Sequence, residues 1–361
     1  MQIFPVSFAA LLATLCILLP DTARADFVVS KGTEGRFIRV LVAGGSAVYA
    51  GTDKGVYRST DTGATWSLAG TGGVNLQVMS MAASGTTVVA GFLDSGVAVS
   101  SDGGNTWKVS RLGLVGPDVY SVGIRGTELL AGTIDGLFSS NDGGKNWDVV
   151  WMGGAFPDLV VSGSEALTLE VAGALYSSAV PGALLVKKME NITNGKFFST
   201  NFFTMALQGE RLFAGSDHGV WRSNDRGATW ANVGTGTGGI PASAFVVALA
   251  PIENFLLAGT NSYGVYLSGT LGDNWVYAGQ GLPLGYTRGL LVLGGKVLVG
   301  TGTNGVYRRT LADMPASIVG KPRVRGISTV NSPLLALKKL GLSANGRTAN
   351  RHGLRRQPKL P

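Results

Sequence analysis

Residues 59–66 read Ser59-Thr60-Asp61-Thr62-Gly63-Ala64-Thr65-Trp66, an apolar strand's end followed by a polar reversal and a large aromatic. The skeleton Ser-x-Asp-x-Gly-x-x-Trp returns complete as Ser100-Asp102-Gly104-Trp107, Ser140-Asp142-Gly144-Trp147 and Ser223-Asp225-Gly227-Trp230. It returns without its acid as Ser268-Thr270-Gly272-Trp275. The fourth copy reads as decayed, with Ser177, Ala179 and Leu184 at the corresponding places, and the seventh stops at Thr310. A Gly-apolar-aromatic step, imperfect in two copies, precedes each: Gly55-Val56-Tyr57, Gly96-Val97-Ala98, Gly136-Leu137-Phe138, Gly173-Ala174-Leu175, Gly219-Val220-Trp221, Gly264-Val265-Tyr266 and Gly305-Val306-Tyr307. Successive steps lie 41, 40, 37, 46, 45 and 41 residues apart. A period of that length marks a repeat array growing as one body, not a pair of unrelated domains.

The octet reads as a hairpin between two alternating strands. Its Asp accepts backbone N–H bonds across the turn, and its Gly takes the positive φ that the reversal requires. The Trp opens the next strand and fills the space between adjacent sheets. Each repeat then holds four short strands, here A to D from the inside outward. In the first repeat these are expected near Ile38-Ala43, Ala47-Gly51, Gly55-Ser59 and Thr65-Leu68. Four-stranded sheets repeated at this period form either an open solenoid or a closed β-propeller. The ends favour closure. The seventh repeat offers strands A to C (Gly289-Leu293, Lys296-Gly300, Gly305-Arg309) and no fourth. Phe27-Val28-Val29-Ser30-Lys31-Gly32 reads as a spare strand D, with Phe27 in the Trp place. The expected fold is therefore all-β: a seven-bladed β-propeller of four-stranded antiparallel blades, the last blade closed by the N-terminal strand.

The octet resembles the Asp-box of the BNR repeat family, over residues 27 to 310. That family includes sialidases, sortilin-type receptors, some glucanases and photosystem II assembly factors. The resemblance implies that the octets Ser59, Asp61, Gly63, Trp66 and their copies are structural, on a face of the disc away from the usual binding face. Four copies around a ring cannot all serve one active centre.

Composition bounds the rest. The chain of 361 residues has 55 Gly, 45% hydrophobic and 14% charged residues, a turn-rich sequence with a large core. Residues 1–25 read as a signal peptide. An apolar run from Phe8 to Pro20 precedes Ala23 and Ala25 in an A-x-A pattern, although no Lys or Arg precedes the run. The run is shorter than the roughly 20 residues a membrane-spanning helix needs. Cys16, the single cysteine, lies inside it, with Leu15 before it where a lipoprotein signal has a small residue. A chain cleaved after Ala25 has no thiol, which excludes disulfides, Cys-ligated zinc and cysteine nucleophiles. A periplasmic or secreted location follows as an expectation. The propeller is placed at 26–311 and a basic tail at 312–361, where ten Lys or Arg face one acid, Asp313. The net charge of +8 thus sits in the tail, and the body is near neutral. The tail reads as mostly disordered, with weak contact to anionic membranes as one role and nucleic acid disfavoured in an exported protein.

A working surface is sought on the face built from B–C turns and D–A connections. The B–C turns carry Asp53, Asp94, Asp135, Asp217 with His218, Asn261 and Asn304, which are ordinary turn formers or a polar ring around the channel. The D–A connections hold Tyr120, Trp151, Phe156, Phe245 and Tyr286, with Arg36, Arg111 and Arg288 nearby. The longest, about Lys187 to Thr204, adds Phe197, Phe198, Phe202 and Phe203. Aromatic and arginine residues are enriched at interfaces, so Arg36, Arg111, Tyr120, Trp151, Phe156, Tyr286 and Arg288 are the binding candidates, with packing as the alternative. No metal, cofactor or catalytic residue is assigned. Sialidases announce an arginine with an R-I-P step, and the nearest string here, Phe37-Ile38-Arg39-Val40, lacks the proline. Sialidase propellers also have six blades, and xyloglucanases set two seven-bladed rings face to face. Histidine chemistry has only His218 and His352 to draw on. The single exported ring most resembles photosystem II assembly and stability factors. That implies a monomeric scaffold binding a protein partner, with a surface polysaccharide, or glycoside hydrolysis by a carboxylate pair, as the alternatives.

Overall fold

The computed structural model describes residues 26–72, 76–190, 192–193, 200–234 and 239–314. The expected signal peptide and all but the first three residues of the expected tail lie outside these, as do Phe197 and Phe198. Among the described residues, twenty-eight strands form seven four-stranded antiparallel sheets. The inner strands of successive sheets pack on one another around a full circuit, blade 7's Thr287–Leu293 finally meeting blade 1's Ile38–Gly44. The fold is a seven-bladed β-propeller.

Each blade is sandwiched rather than capped, so hydrophobic residues recur on both faces of its strands. Strand B of blade 1, Ala47–Thr52, is buried at every position. The core is accordingly seven clusters, each between two neighbouring blades. Trp66 packs on Leu298 and Val306 of blade 7, and Trp107 packs beside Val42 and Tyr49 of blade 1. Phe27 fills the same place between blades 6 and 7, against Leu257, Val265 and Val299. The glycine near the end of strand B has a packing reason. A Cβ on Gly51 would lie 2.5 Å from Val78 of blade 2, and one on Gly300 would lie 2.5 Å from Ile38 of blade 1. Without side chains there, neighbouring inner strands approach closely enough to close a ring of seven.

Closure occurs as the sequence implies. Val28 and Val29 pair antiparallel with Arg308 and Tyr307, completing the sheet of blade 7. Phe27 is 4% exposed. Ser30 N–H donates to Val306 O at 2.7 Å, and Val306 N–H donates to the buried Thr33 Oγ1 at 3.0 Å. On the other side, Trp66 N–H donates to Lys31 O at 2.9 Å, tying the closing strand to blade 1.

Blade 4 corrects the reading of its repeat. Leu184 does not hold the Trp place: it is 71% exposed, while Leu185 is buried between blades 3 and 4. Leu175 pairs with Leu169 as Val56 pairs with Gly51, and Ser178 pairs with Ala166 as Ser59 pairs with Val48. The frame is one residue later than the sequence suggested. The step is Ala174-Leu175-Tyr176, and the octet runs Ser178-Ala179-Val180-Pro181-Gly182-Ala183-Leu184-Leu185. Gly182 keeps the positive φ of 75°. What the box lost is supplied by blade 3. The Arg125 guanidinium donates to Ser178 O at 2.9 Å, Ser178 Oγ at 3.1 Å and Ser164 O at 3.2 Å. Glu128 accepts from Arg125 at 2.6 Å and from Gly182 N–H at 3.0 Å. In the intact boxes the corresponding Gly N–H donates to the Ser hydroxyl instead, as Gly63 does to Ser59 at 2.9 Å.

Candidate functional site at the channel mouth

The intact boxes are self-contained turns. Asp61 Oδ1 accepts from Ala64 N–H at 3.0 Å, Thr65 N–H at 2.9 Å and Ser59 Oγ–H at 2.7 Å, and its Oδ2 accepts from Thr65 Oγ1–H at 2.6 Å. Asp102, Asp142 and Asp225 repeat the pattern with Thr106, Asn146 and Thr229. The turn glycines Gly63, Gly104, Gly144 and Gly227 have φ between 79° and 92°. Slight burial works against the Asp61 charge, but the Thr65 hydroxyl and amide outweigh it and hold the carboxyl down at about 2. The Thr229 hydroxyl and amide hold Asp225 at about 2, and the equivalent bonds hold Asp102 and Asp142 well below the usual range. These groups are ionised acceptors locked by their own turns. A folded-state pKa below the unfolded value of about 3.9 makes the unfolded chain the better proton acceptor. The boxes therefore stabilise the ring fully above about pH 4, and that contribution fades as pH falls toward 2. Asp102→Ala is expected to lower the melting temperature at pH 7, with the gap to the parent protein closing toward pH 2. A gap independent of pH would show that the carboxylate does not act as a turn acceptor.

The other face, where B–C turns and D–A connections lie, opens onto the central channel. In six blades the ladder between strands A and B skips one residue near the start of strand A. The skipped residues are Arg39, Met79, Tyr120, Phe203, Val247 and Arg288, and all six line the channel cavity of about 120 Å³. A β-bulge re-aims a side chain in this way. Blade 4, whose strand A Asp158–Ser162 pairs without a shift, contributes Asp158 to the same wall. It is the one acid there among the described residues. Burial pushes the Asp158 carboxyl up, against hydrogen bonds from Met205 N–H at 2.8 Å, Leu159 N–H at 2.8 Å and Thr204 Oγ1–H at 3.0 Å. It pins the inner strands of blades 4 and 5 together.

Arg39 and Arg288 stand on neighbouring inner strands of blades 1 and 7. Burial, and then the charge of Arg288, draw the Arg39 pKa down. The Arg39 guanidinium lies over the Phe37 ring at 4.8 Å, and Phe37 packs on Tyr286 at 5.8 Å. Arg36 sits on the rim, 3.8 Å from Asp53. Of the sequence candidates, the structure thus gathers Arg36, Tyr120, Tyr286 and Arg288 about the channel mouth. It does not bring the other three there. Arg111 is exposed in the connection from blade 2 to blade 3, on the same face but away from the channel lining. Trp151 lies within strand D of blade 3, Asp148–Met152, rather than in a connection, and packs on Tyr176 at 5.2 Å. Phe156 is fully buried between blades 3 and 4. Arg39, Met79, Val247 and Asp158 were not singled out as channel residues from the sequence. The signal available was the residue that follows the first buried position of strand A in six blades, as in Ile38-Arg39-Val40.

The exposed apolar residues are unevenly placed. Leu112, Val115, Phe245 and Leu284 lie in D–A connections, and Ile134 and Tyr263 lie in B–C turns, all on the channel-mouth face. Leu284 is 83% exposed, and Phe245, 41% exposed, stacks on the channel residue Phe203 at 5.7 Å. The intact boxes on the opposite face expose none among the described residues. Also among the described residues, no three His, Cys, Asp or Glu side chains converge as metal ligands.

No family model matches the chain, and no curated protein sequence does. Solved structures do match in fold. YCF48 from Cyanidioschyzon merolae superposes with a TM-score of 0.60 at 12% identity, covering 79% of this chain and 98% of that one. A YCF48 structure bound to D1 peptide gives 0.60 at 15% identity, covering 79% and 97%. The GH74 xyloglucanase from Xanthomonas campestris gives 0.62 at 17% identity, covering 80% of this chain and 54% of that one. At these identities the likeness is one of architecture. It includes a ring that binds a protein segment and one that belongs to a glycoside hydrolase.

Proposed function

We propose that the chain is an exported, non-catalytic scaffold that binds a partner protein on the channel-mouth face. The observation carrying this reading is the asymmetry of the disc. One face concentrates exposed Phe245, Tyr263, Leu284, Leu112 and Ile134 around a channel lined by arginine and aromatic side chains. The other presents self-satisfied polar turns in its intact boxes, with exposed apolar side chains, Val180 and Leu184, in the altered box of blade 4. Interfaces are enriched in aromatic residues and arginine, with energy focused on a few of them. The YCF48 ring bound to D1 peptide supports the same reading by analogy of fold. Glycoside hydrolysis has less to work with, because it needs two carboxylates flanking the bond and among the described residues the channel wall offers Asp158 alone, already engaged by three donors. The test is radical footprinting of the 26–361 chain in its host's envelope extract, run beside chromogenic glycosides. Protection is expected at Phe245, Tyr263 and Leu284 and not at Leu68 or Val109 on the rim. Protection confined to the box face, or turnover of a glycoside, would overturn the proposal.

A further inference from the structure

We propose that Arg39 and Arg288 form a seat for one carboxylate at the channel mouth. Six blades aim one bulged residue each at the channel, and two of those six, on adjacent blades, are arginines. Among the described residues neither guanidinium makes an ion pair or a hydrogen bond, and Arg39 Nε is buried without a partner. The acids within their field are committed elsewhere. Asp53 faces Arg36 and accepts from Phe37 N–H at 3.1 Å, and Asp158 is held by the inner strands of blades 4 and 5. Among the described residues no acid pairs with either guanidinium, although Asp158 lies in the field of Arg288, and a bound anion relieves the repulsion between the two like charges. The guanidinium fork matches a planar carboxylate, and the Phe37 ring fixes the orientation of Arg39 beforehand. The cavity of about 120 Å³ is ample for one small group with its water. Met79, Val247 and Phe203 supply apolar walls that strengthen the interaction by limiting water.

This rests on the channel-mouth face being the working face, but its test does not need the partner. The probes are acetate, an N-acetylated trialanine with a free C-terminal carboxylate, and an N-acetylated Ala-Glu-Ala amide, each at fixed ionic strength against chloride. Each carboxylate probe is expected to raise the melting temperature of the 26–361 chain by mass action. Arg288→Gln and, independently, Arg39→Gln are expected to weaken acetate binding at least about tenfold, the size of a lost charge-assisted bond. Arg288→Lys, which keeps charge without the fork, should fall between. In chloride alone, Arg288→Gln is expected to melt no lower than the parent protein, because removing one charge relieves the other. Tighter binding of the free trialanine assigns the seat to a chain terminus, and tighter binding of the Glu peptide assigns it to an acidic side chain. Melting temperatures that do not respond to any carboxylate beyond chloride, or binding unchanged in both Gln variants, would overturn the seat. They would leave the protein-binding reading to the footprint.

Discussion

Removing residues 26–32 is expected to destabilise the whole ring and to promote aggregation. The deletion takes away Phe27 from the cluster between blades 6 and 7 and the only described partner of the Val306–Thr310 edge. Phe27→Ala alone is expected to cost about 3–5 kcal/mol, the range for emptying a buried aromatic site. For a ring of this size that lowers the melting temperature by on the order of 10 °C. The full deletion should exceed it, because it also removes the Ser30 N–H that donates to Val306 O and leaves an open strand edge that recruits other chains. Calorimetry and light scattering on the deleted chain provide the check. Unchanged melting would mean that the array does not depend on being closed.

Arg125→Ala should produce a second large effect, on the order of 3–5 kcal/mol, because it leaves Glu128 charged and buried without its partner. Both side chains are 2% exposed or less. The same change orphans Ser178 O and Ser164 O, so blade 4 is where the damage should appear. Arg125→Met with Glu128→Leu is expected to cost less than Arg125→Ala alone, since it removes the stranded charge. Denaturant titration of the two variants measures the difference. A loss below about 1 kcal/mol for Arg125→Ala would show that blade 4 does not rely on blade 3.

Those two expectations differ in how far the sequence alone could supply them. Closure was legible because the octet is local: each Ser, Asp, Gly and Trp acts within its own eight residues, so a missing strand D after Thr310 and a spare one at Phe27 stand out. The frame of blade 4 was not legible. Gly173 offered a false anchor one residue early, and the side chains that replace the box, Arg125 and Glu128, come from about 50 residues upstream. Their pairing exists only once two blades are packed. The channel residues were hidden for a related reason. A bulge interrupts the alternation that identifies strand faces, so Arg39 drew notice only in the string nearest to R-I-P, and Tyr120 and Arg288 read as part of a connection or next to one. Trp151 and Phe156 misled in the opposite sense, because an aromatic in a loop-like stretch reads equally as surface or core.

The central claim is that one face of this disc works and the other only holds the turns together. The most direct measurement compares partner affinity in two double variants, once the protein bound in the host envelope is in hand. Phe245→Asp with Leu284→Asp places charges on the channel-mouth face, and Leu68→Asp with Val109→Asp places them on the rim, all at exposed sites. The account predicts that the first pair weakens binding by roughly 30-fold or more, the loss of at least one interface hot spot, while the second leaves it within about twofold and both melt like the parent protein. Equal affinity for the first pair, or loss confined to the rim pair, would contradict it.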